Sequence, residues 1–220
     1  MVTFNASKAL CLLTLVLFFA GCSGQQDAWV YIDNGLDTTM NIEIDGVEMA
    51  EVPARAFQKF VIPVGQRNFR VTSGAETIYE GKKNVAGSRE AFVTQRYLFN
   101  PDANNLYWSY NVKYGEDSLF SKAIQKTSSR SGLSSEFHSL RKDFDVMPAE
   151  KWFAVPKGAY VLQDAPTSRV ASRGTTVAIK VVNRVQKEHY KFLKEAKTMR
   201  RPTKHDLLDL EHVISMSIID

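Results

Sequence analysis

The chain has 220 residues, of which 44% are hydrophobic and 11% aromatic, and this content excludes an intrinsically disordered chain. The length allows one large domain or two small ones. The net charge of +4 is unevenly distributed, because residues 22–119 carry 9 Lys and Arg against 13 Asp and Glu, whereas residues 120–220 carry 18 against 11. The two halves therefore either have different surroundings or face each other.

The first two dozen residues have the composition of a secretory signal. Lys8 precedes an apolar run over residues 9–20, and the small residues Ala20 and Gly21 then lead to Cys22. The run is shorter than the roughly 20 residues that a membrane-spanning helix needs, so an uncleaved span and a buried helix are the weaker alternatives. A cysteine in this position makes the leader resemble the lipobox of bacterial lipoproteins.

The lipobox resemblance implies where the protein is found. Residues 1–21 would be removed as a signal peptide, and Cys22 would become the N-terminus that carries covalent lipid such as palmitate. Cys11 would leave with the leader, so the mature chain would have no disulfide, no thiol nucleophile and no cofactor besides the lipid. Because Ser23, and not Asp, follows the cysteine, the outer membrane, on its periplasmic or surface side, is expected ahead of the inner membrane. Residues 22–27 would form a short tether.

Residues 28–115 alternate between apolar and polar side chains with a period of two, which is typical of β-strands. Strands are predicted at residues 29–34, 40–44, 58–62, 68–72, 76–80, 92–99 and 106–114. Asp45-Gly46 predicts a tight hairpin turn, since both central positions of that turn favour positive φ. Short strands separated by polar turns predict an N-terminal antiparallel β-sandwich of the immunoglobulin or transthyretin kind.

The last of these strands carries an aromatic face made of Trp108, Tyr110, Val112 and Tyr114. The spacing favours a core role, with an exposed sugar-binding stripe as the alternative.

Two short sequences add a second resemblance. Residues 44–47, Ile-Asp-Gly-Val, and residues 62–65, Ile-Pro-Val-Gly, are similar to PEGA-type and transthyretin-like surface modules. Such modules have a strand, an Asp-Gly turn, a second strand and a later apolar-Pro-x-Gly turn.

A serine-rich segment at residues 116–135 is predicted to be a linker. Residues 136–220 then predict a smaller, basic α+β region that contains a short helix at 136–144, brief strands at 152–155 and 160–162, a strand at 175–182 and two terminal helices. Asn183 and Gln186 resemble a capping box for the first terminal helix, at 184–199. Thr203 and Asp206 are predicted to cap the second.

A basic row on the helix at 184–199 is the candidate interaction surface. Its members are Arg184, Lys187, Lys191 and Lys194, and residues 180–204 contain nine basic side chains against two acidic ones. On a membrane-anchored protein such a row can lie against anionic headgroups, or it can be an ordinary solvated helix face. Another envelope protein or a surface polymer is an alternative partner, and export excludes nucleic acid.

A candidate metal site lies on the final helix. His205, Asp209 and His212 would share one face, at i, i+4 and i+7, and such groups can bind zinc. No glutamate base lies between two histidines as in HExxH, so a polar helix face is the favoured interpretation.

The sequence therefore predicts a lipid-anchored bacterial envelope protein with a non-catalytic binding or structural role. The alternative is a lipid-anchored metal-dependent hydrolase centred on the candidate metal site. No Gly-x-Ser-x-Gly elbow, Cys/His pair or phosphate loop favours a particular enzyme class.

Overall fold

The computed structural model describes residues 27–88, 93–114, 130–164 and 177–216. The predicted signal peptide, Cys22 and all of the predicted tether except Asp27 lie outside the described residues. The strands are β1 Asp27–Asp33, β2 Met40–Ile44, β3 Val47–Val52, β4 Phe57–Pro63, β5 Gly65–Ser73, β6 Glu76–Val85, β7 Arg96–Phe99, β8 Leu106–Tyr114, β9 Phe144–Val146, β10 Trp152–Ala154, β11 Ala159–Val161 and β12 Val177–Val185. The helices are α1 Arg130–Leu140, α2 Lys187–Thr198 and α3 Lys204–Met216.

These strands form three four-stranded sheets, and the prediction of a mainly β fold is confirmed. The outer sheet has the order β3-β2-β5-β6, the inner sheet β10-β7-β1-β4 and the helix-covered sheet β11-β12-β8-β9. Most pairs are antiparallel, but β1 pairs with β7 and β11 pairs with β12 in parallel. The likeness to PEGA-type modules stays a prediction.

The β1 strand lies in the interior and buries both of its faces. Val30 and Ile32 pack in one apolar cluster with the outer-sheet residues Met40 and Ile42. Tyr31, on the opposite face, belongs to a second cluster shared with the helix-covered sheet. Residues 29–34 carry apolar side chains on both faces, as an inner strand does, and both faces of β1 are buried.

The β8 strand divides its side chains in the same way. Trp108 and Tyr110 are buried in the cluster that the helices cover, together with Phe137 of α1 and Leu193 of α2. Tyr107, on the other face, is buried against the inner sheet. The described residues therefore form four layers, in the order outer sheet, inner sheet, helix-covered sheet and helices. The predicted core role of Trp108 and Tyr110 is confirmed.

Two predicted local signals are confirmed. Asp45 and Gly46 both adopt positive φ, at 53° and 81°, and they turn the chain between β2 and β3. The Thr203 backbone N–H donates to Asp206 Oδ2 over 2.7 Å, and the Asp206 N–H donates to Thr203 Oγ1 over 3.2 Å. This reciprocal pair satisfies donors of the first turn of α3, as a capping box does.

The predicted start of the first terminal helix is wrong. Pairing of β12 with β8 continues to Arg184 and Val185, so these two residues are extended, and α2 begins at Lys187. Asn183 accepts a hydrogen bond from the Arg184 N–H within the strand, and Gln186, at the cap position, makes no side-chain cap bond. Strand hydrogen bonding thus overrides the local capping signal.

The predicted 136–144 helix is also displaced. Helix α1 begins within the predicted linker, at Arg130, and ends at Leu140, so Phe144 lies in β9 and pairs with Tyr110. The linker residues 116–129 lie outside the described residues.

The two predicted parts of the chain share sheets. In the inner sheet, β10 pairs with β7, and in the helix-covered sheet, β12 pairs with β8 along its whole length. Within the described ranges, none of the helices has the length and apolarity that crossing a membrane requires.

Candidate functional site

The predicted basic row lies only partly on one helix. Lys187, Lys191 and Lys194 are exposed on α2, opposite the buried Leu193 and Ala196. This arrangement follows from the amphipathic pattern, in which the apolar residues face the sheet and the lysines face solvent. The row therefore presents three ammonium groups along one helix.

Arg184, the fourth predicted member of the row, has a different position. It lies in β12, and its guanidinium contacts the carboxylate of Asp33, which is fully buried at the end of β1. Nε of Arg184 donates to Asp33 Oδ2 over 3.0 Å, and Nη2 donates to Oδ1. The placement of Arg184 in the helix row is thus corrected, and its charge is used inside the fold.

The Asp33 carboxylate is the centre of a network that joins three segments. Asn105 Nδ2 donates to its Oδ2 over 2.9 Å, and the Tyr107 hydroxyl donates to the same oxygen. The Arg184 guanidinium also donates to the Arg55 carbonyl over 2.8 Å and lies 4.4 Å from the centre of the Phe57 ring. A planar guanidinium suits this site because it can bind a carboxylate through two donors and stack on a ring.

Burial is the main influence on the ionisation of this network. It raises the pKa of Asp33, while the donors Arg184, Tyr107 and Asn105 act in the opposite direction by stabilising the carboxylate. Burial, together with the negative charge of Asp33, also raises the pKa of Tyr107 well above its ordinary value. The phenol is therefore a hydrogen-bond donor across the neutral pH range, and its bond to Asp33 joins β8 to the end of β1.

Asn34, directly after Asp33, secures the neighbouring backbone. Its side-chain N–H group donates to the carbonyls of Thr38, Val52 and Pro53 over 2.8–3.0 Å, and its Oδ1 accepts from the Leu36 N–H. Asn34 is fully buried, so these bonds satisfy a polar group that would otherwise destabilise the fold.

A second ionic group lies beside Trp29. The Asp164 carboxylate accepts a hydrogen bond of 2.5 Å from the Tyr31 hydroxyl and one of 2.8 Å from Lys59 Nζ. Burial acts to raise the pKa of Asp164, but hydrogen bonds from Lys59 and Tyr31 outweigh it and lower the pKa. Lys59 and Arg96 lie 4.7 and 5.1 Å from the Trp29 ring centre, within cation–π distance.

A third group connects α2 to the helix-covered sheet. Asp145 lies between two lysines, with Oδ2 2.6 Å from Lys180 Nζ and Oδ1 3.1 Å from Lys197 Nζ. Lys197 also donates to the carbonyls of Arg141 and Phe144. Three contacts therefore determine the position of Lys197 near the end of α2, and Lys197 is not part of the exposed row.

The candidate metal residues form one exposed pair. His205 Nε2 lies 3.4 Å from Asp209 Oδ2, and their side chains are 84% and 45% exposed. His212 is exposed on the same helix. Among the described residues, no group of three or more His, Cys, Asp or Glu side chains is arranged to hold a metal ion.

A surface cleft of about 310 Å³ crosses the outer sheet and is lined by Asn41, Ile42, Glu43, Glu48, Arg70 and Thr72. Arg70 Nη1 and Glu43 Oε2 are 3.8 Å apart across it, so opposite charges partly compensate each other. The lining residues offer polar contacts to a ligand, but they do not include a paired nucleophile and base.

Sequence reasoning missed the Asp33 network. The local signal was present, because Asp33 and Asn34 end a strand in which apolar residues occupy both faces. Its partner Arg184 is 151 positions away, and no local pattern connects residues at that separation. Comparison with protein-family models, with curated proteins and with solved structures gives no match for this chain.

Proposed function

We propose that this protein is a bacterial envelope lipoprotein, anchored through lipid on Cys22, with a non-catalytic binding or structural role. The observation that carries the proposal is the position of the interior strand β1, which begins at Asp27. Five Cα–Cα steps separate Cys22 from Asp27, and they span at most about 18 Å. A chain with a lipobox-like leader and so short a connection is suited to holding its domain beside a bilayer.

The interior supports a scaffold role. Asp33, Arg184 and Tyr107 are used to connect the inner sheet with the helix-covered sheet, and Asp164 connects Tyr31 with Lys59. The charged groups of these two networks are therefore engaged with each other, and the exposed lysines of α2 are available to a partner. This division of roles favours binding at the surface over chemistry in the interior.

Intact mass measurement of the protein extracted from membranes tests the proposal. We expect loss of residues 1–21 and gain of acyl chains, since two or more chains give stable anchoring. The Cys22→Ala variant is expected to lack the acyl mass. Cys11→Ala is the matched control, because Cys11 leaves with the leader and the mature mass should be unchanged.

A water-soluble product with an unmodified Cys22 would contradict the lipoprotein proposal. Cross-linking in the intact envelope, followed by identification of the attached molecules, then separates a protein partner from a surface polymer.

A further inference from the structure

Direct contacts between the layers show which parts of the other sheets and helices lie level with each end of β1. At its far end, Asp33 contacts Arg184 of β12 and Tyr107 of β8. At its near end, where the chain enters, Trp29 lies 5.1 Å from the guanidinium of Arg96. The end of β1 at Asp27 is here named the entry end, and the end at Asp33 is named the far end.

Helix α2 begins towards the far end. The Tyr190 hydroxyl donates to the Met147 carbonyl over 2.8 Å, and the Met147 N–H donates to the Tyr107 carbonyl over 3.0 Å. Since Tyr107 contacts Asp33, the first turns of α2 lie at the level of that carboxylate.

The last turn of α2 lies towards the entry end. Arg96 Nη1 donates to the Ala159 carbonyl over 2.8 Å, and Ala159 pairs with Lys180 across β11 and β12. Lys180 and Lys197 bind the two oxygens of the same Asp145 carboxylate. A continuous set of contacts therefore places the end of α2, and the turn that follows it, at the level of Trp29.

Four exposed basic residues gather at that turn and beside it, and we name them the basic end: Lys142, Arg200, Arg201 and Lys204. The end of α1 is joined to the turn because Arg141 Nη1 donates to the Met199 carbonyl over 3.1 Å. In the described part of the chain, no ion pair with an acidic side chain includes any of the four. The nearby Asp206 carboxylate accepts hydrogen bonds from Thr203.

We propose that the basic end is the surface that docks on anionic lipid headgroups and orients the protein on the membrane. The inference rests on the proposed lipid anchor, because Asp27, five positions after Cys22, and the basic end lie towards the same end of β1. The α2 row fits this position less well, because α2 rises about 15 Å from Lys187 to Lys197 and Lys187 therefore lies far from the turn at the entry end. Each basic residue near an anionic surface contributes roughly fivefold in affinity, so reversing two of them is expected to weaken docking at least about 25-fold.

Energy transfer to dye-labelled headgroups tests this orientation in the full-length protein reconstituted into vesicles. One fluorophore is attached at Thr198→Cys, at the end of α2, and in a separate sample one is attached at Glu150→Cys. Glu150 is exposed at the far end, since the neighbouring Lys151 carbonyl accepts from Asn100. With vesicles that contain phosphatidylglycerol, transfer from position 198 is expected to exceed transfer from position 150.

The charge dependence has a matched control. About 1 M sodium chloride, where the screening length is about 3 Å, is expected to reduce the difference between the two reporters to the part that the lipid anchor alone produces. Arg200→Glu with Arg201→Glu is expected to do the same. Lys187→Glu with Lys191→Glu makes the same change in net charge on α2, and this variant is expected to retain the full difference. Phosphatidylcholine vesicles should show only the part of the difference that the anchor produces.

Equal or reversed transfer in the phosphatidylglycerol vesicles would overturn the proposed orientation. Loss of the difference in the Lys187 and Lys191 variant alone would assign docking to the α2 row instead. Intact mass of the same sample distinguishes failure of the anchor from failure of the docking surface, because it shows whether Cys22 carries lipid. If it carries none, the measurement is repeated in a Cys11→Ala, Cys22→Ser background, in which the fluorophore can attach only at the introduced cysteine. The two reporters then measure docking of the unanchored chain from solution.

Discussion

The two ends of β1 use charge in opposite ways. At the far end, the Asp33 carboxylate is fully buried and held by Arg184, Tyr107 and Asn105. At the entry end, the arginines Arg200 and Arg201 are exposed. A buried, fully bonded charge connects layers of the fold, whereas an exposed cluster of like charges is available to an anionic partner. Mutations should therefore affect stability at one end and binding at the other.

The largest expected effect is at Arg184. Arg184→Met leaves the Asp33 carboxylate buried without its cation, and loss of one partner of a buried ion pair destabilises by about 3–5 kcal/mol. Because the Arg184 side chain is 28% exposed, we expect the low end, about 3 kcal/mol, in urea unfolding. Arg55→Ala, which removes an exposed ion pair with Asp37, is the control and should have a much smaller effect.

Adding Asp33→Asn to Arg184→Met should restore part of the lost stability, since the uncompensated charge is then gone. No recovery in the double variant would indicate that Arg184 stabilises the fold through packing on Phe57 and not through Asp33.

Tyr107→Phe is expected to have the next largest effect. The change removes the phenol that donates to Asp33 while keeping the buried ring, and a hydrogen bond to a charged group contributes about 2 kcal/mol. Denaturant unfolding should show this decrease in the free energy of unfolding. The effects of Tyr107→Phe and Arg184→Met should be non-additive, because both side chains bind one carboxylate; additive effects would contradict a shared network.

Thr203→Ala tests the capping box at the entry end. The variant loses the hydroxyl that accepts from the Asp206 N–H, so the free energy of unfolding should fall by about 1 kcal/mol. Thr198→Ala is the control, since the Thr198 hydroxyl only donates to the Glu195 carbonyl at the exposed end of α2. An equal loss in both variants would show that the cap has no special role.

The Asp145 pair predicts a pH dependence. Burial acts to raise the pKa of Asp145, but hydrogen bonds from Lys180 and Lys197 prevail, so its folded-state pKa lies below the ordinary value. The pair therefore stabilises the fold above the unfolded-state pKa of about 4, and this contribution is lost as the pH falls through the lower, folded-state pKa.

Asp145→Asn should accordingly reduce stability at pH 7 and make the decrease of stability on acidification less steep. The Asp145 side chain is 51% exposed, so solvent screening limits the loss at pH 7 to less than about 1 kcal/mol. Thermal unfolding between pH 3 and pH 7 measures it. Parallel pH curves for the wild type and the variant would contradict the assignment.

The smallest effect on stability is expected from Arg200→Glu with Arg201→Glu. Both side chains are exposed, and surface changes of this kind usually alter stability by no more than about 0.5 kcal/mol. Thermal unfolding should therefore match the wild type, while docking on anionic vesicles is lost. A large decrease in stability would show that the basic end is a structural part of the fold.

Much of the secondary structure of this protein was predictable from the period of its apolar residues, from one turn sequence and from one capping box. The pattern of apolar and polar residues located the strands β1, β2, β4, β5, β6 and β8, but it did not predict β3. Positive φ at Asp45 and Gly46 and the Thr203–Asp206 pair are local properties, so neighbouring residues suffice to predict them. The lipid anchor that the leader indicates stays a prediction.

Only the tertiary structure decided which charges are buried and which remain exposed. Arg184 appeared to continue a helical row of lysines, but pairing of β12 with β8 keeps it extended and directs its guanidinium to Asp33, 151 positions away. Nor does the local sequence place Arg200 and Arg201 at the end where the chain enters. The physical reason is that hydrogen bonds and packing between sheets select among conformations that are nearly equivalent locally, and those partners are distant in sequence.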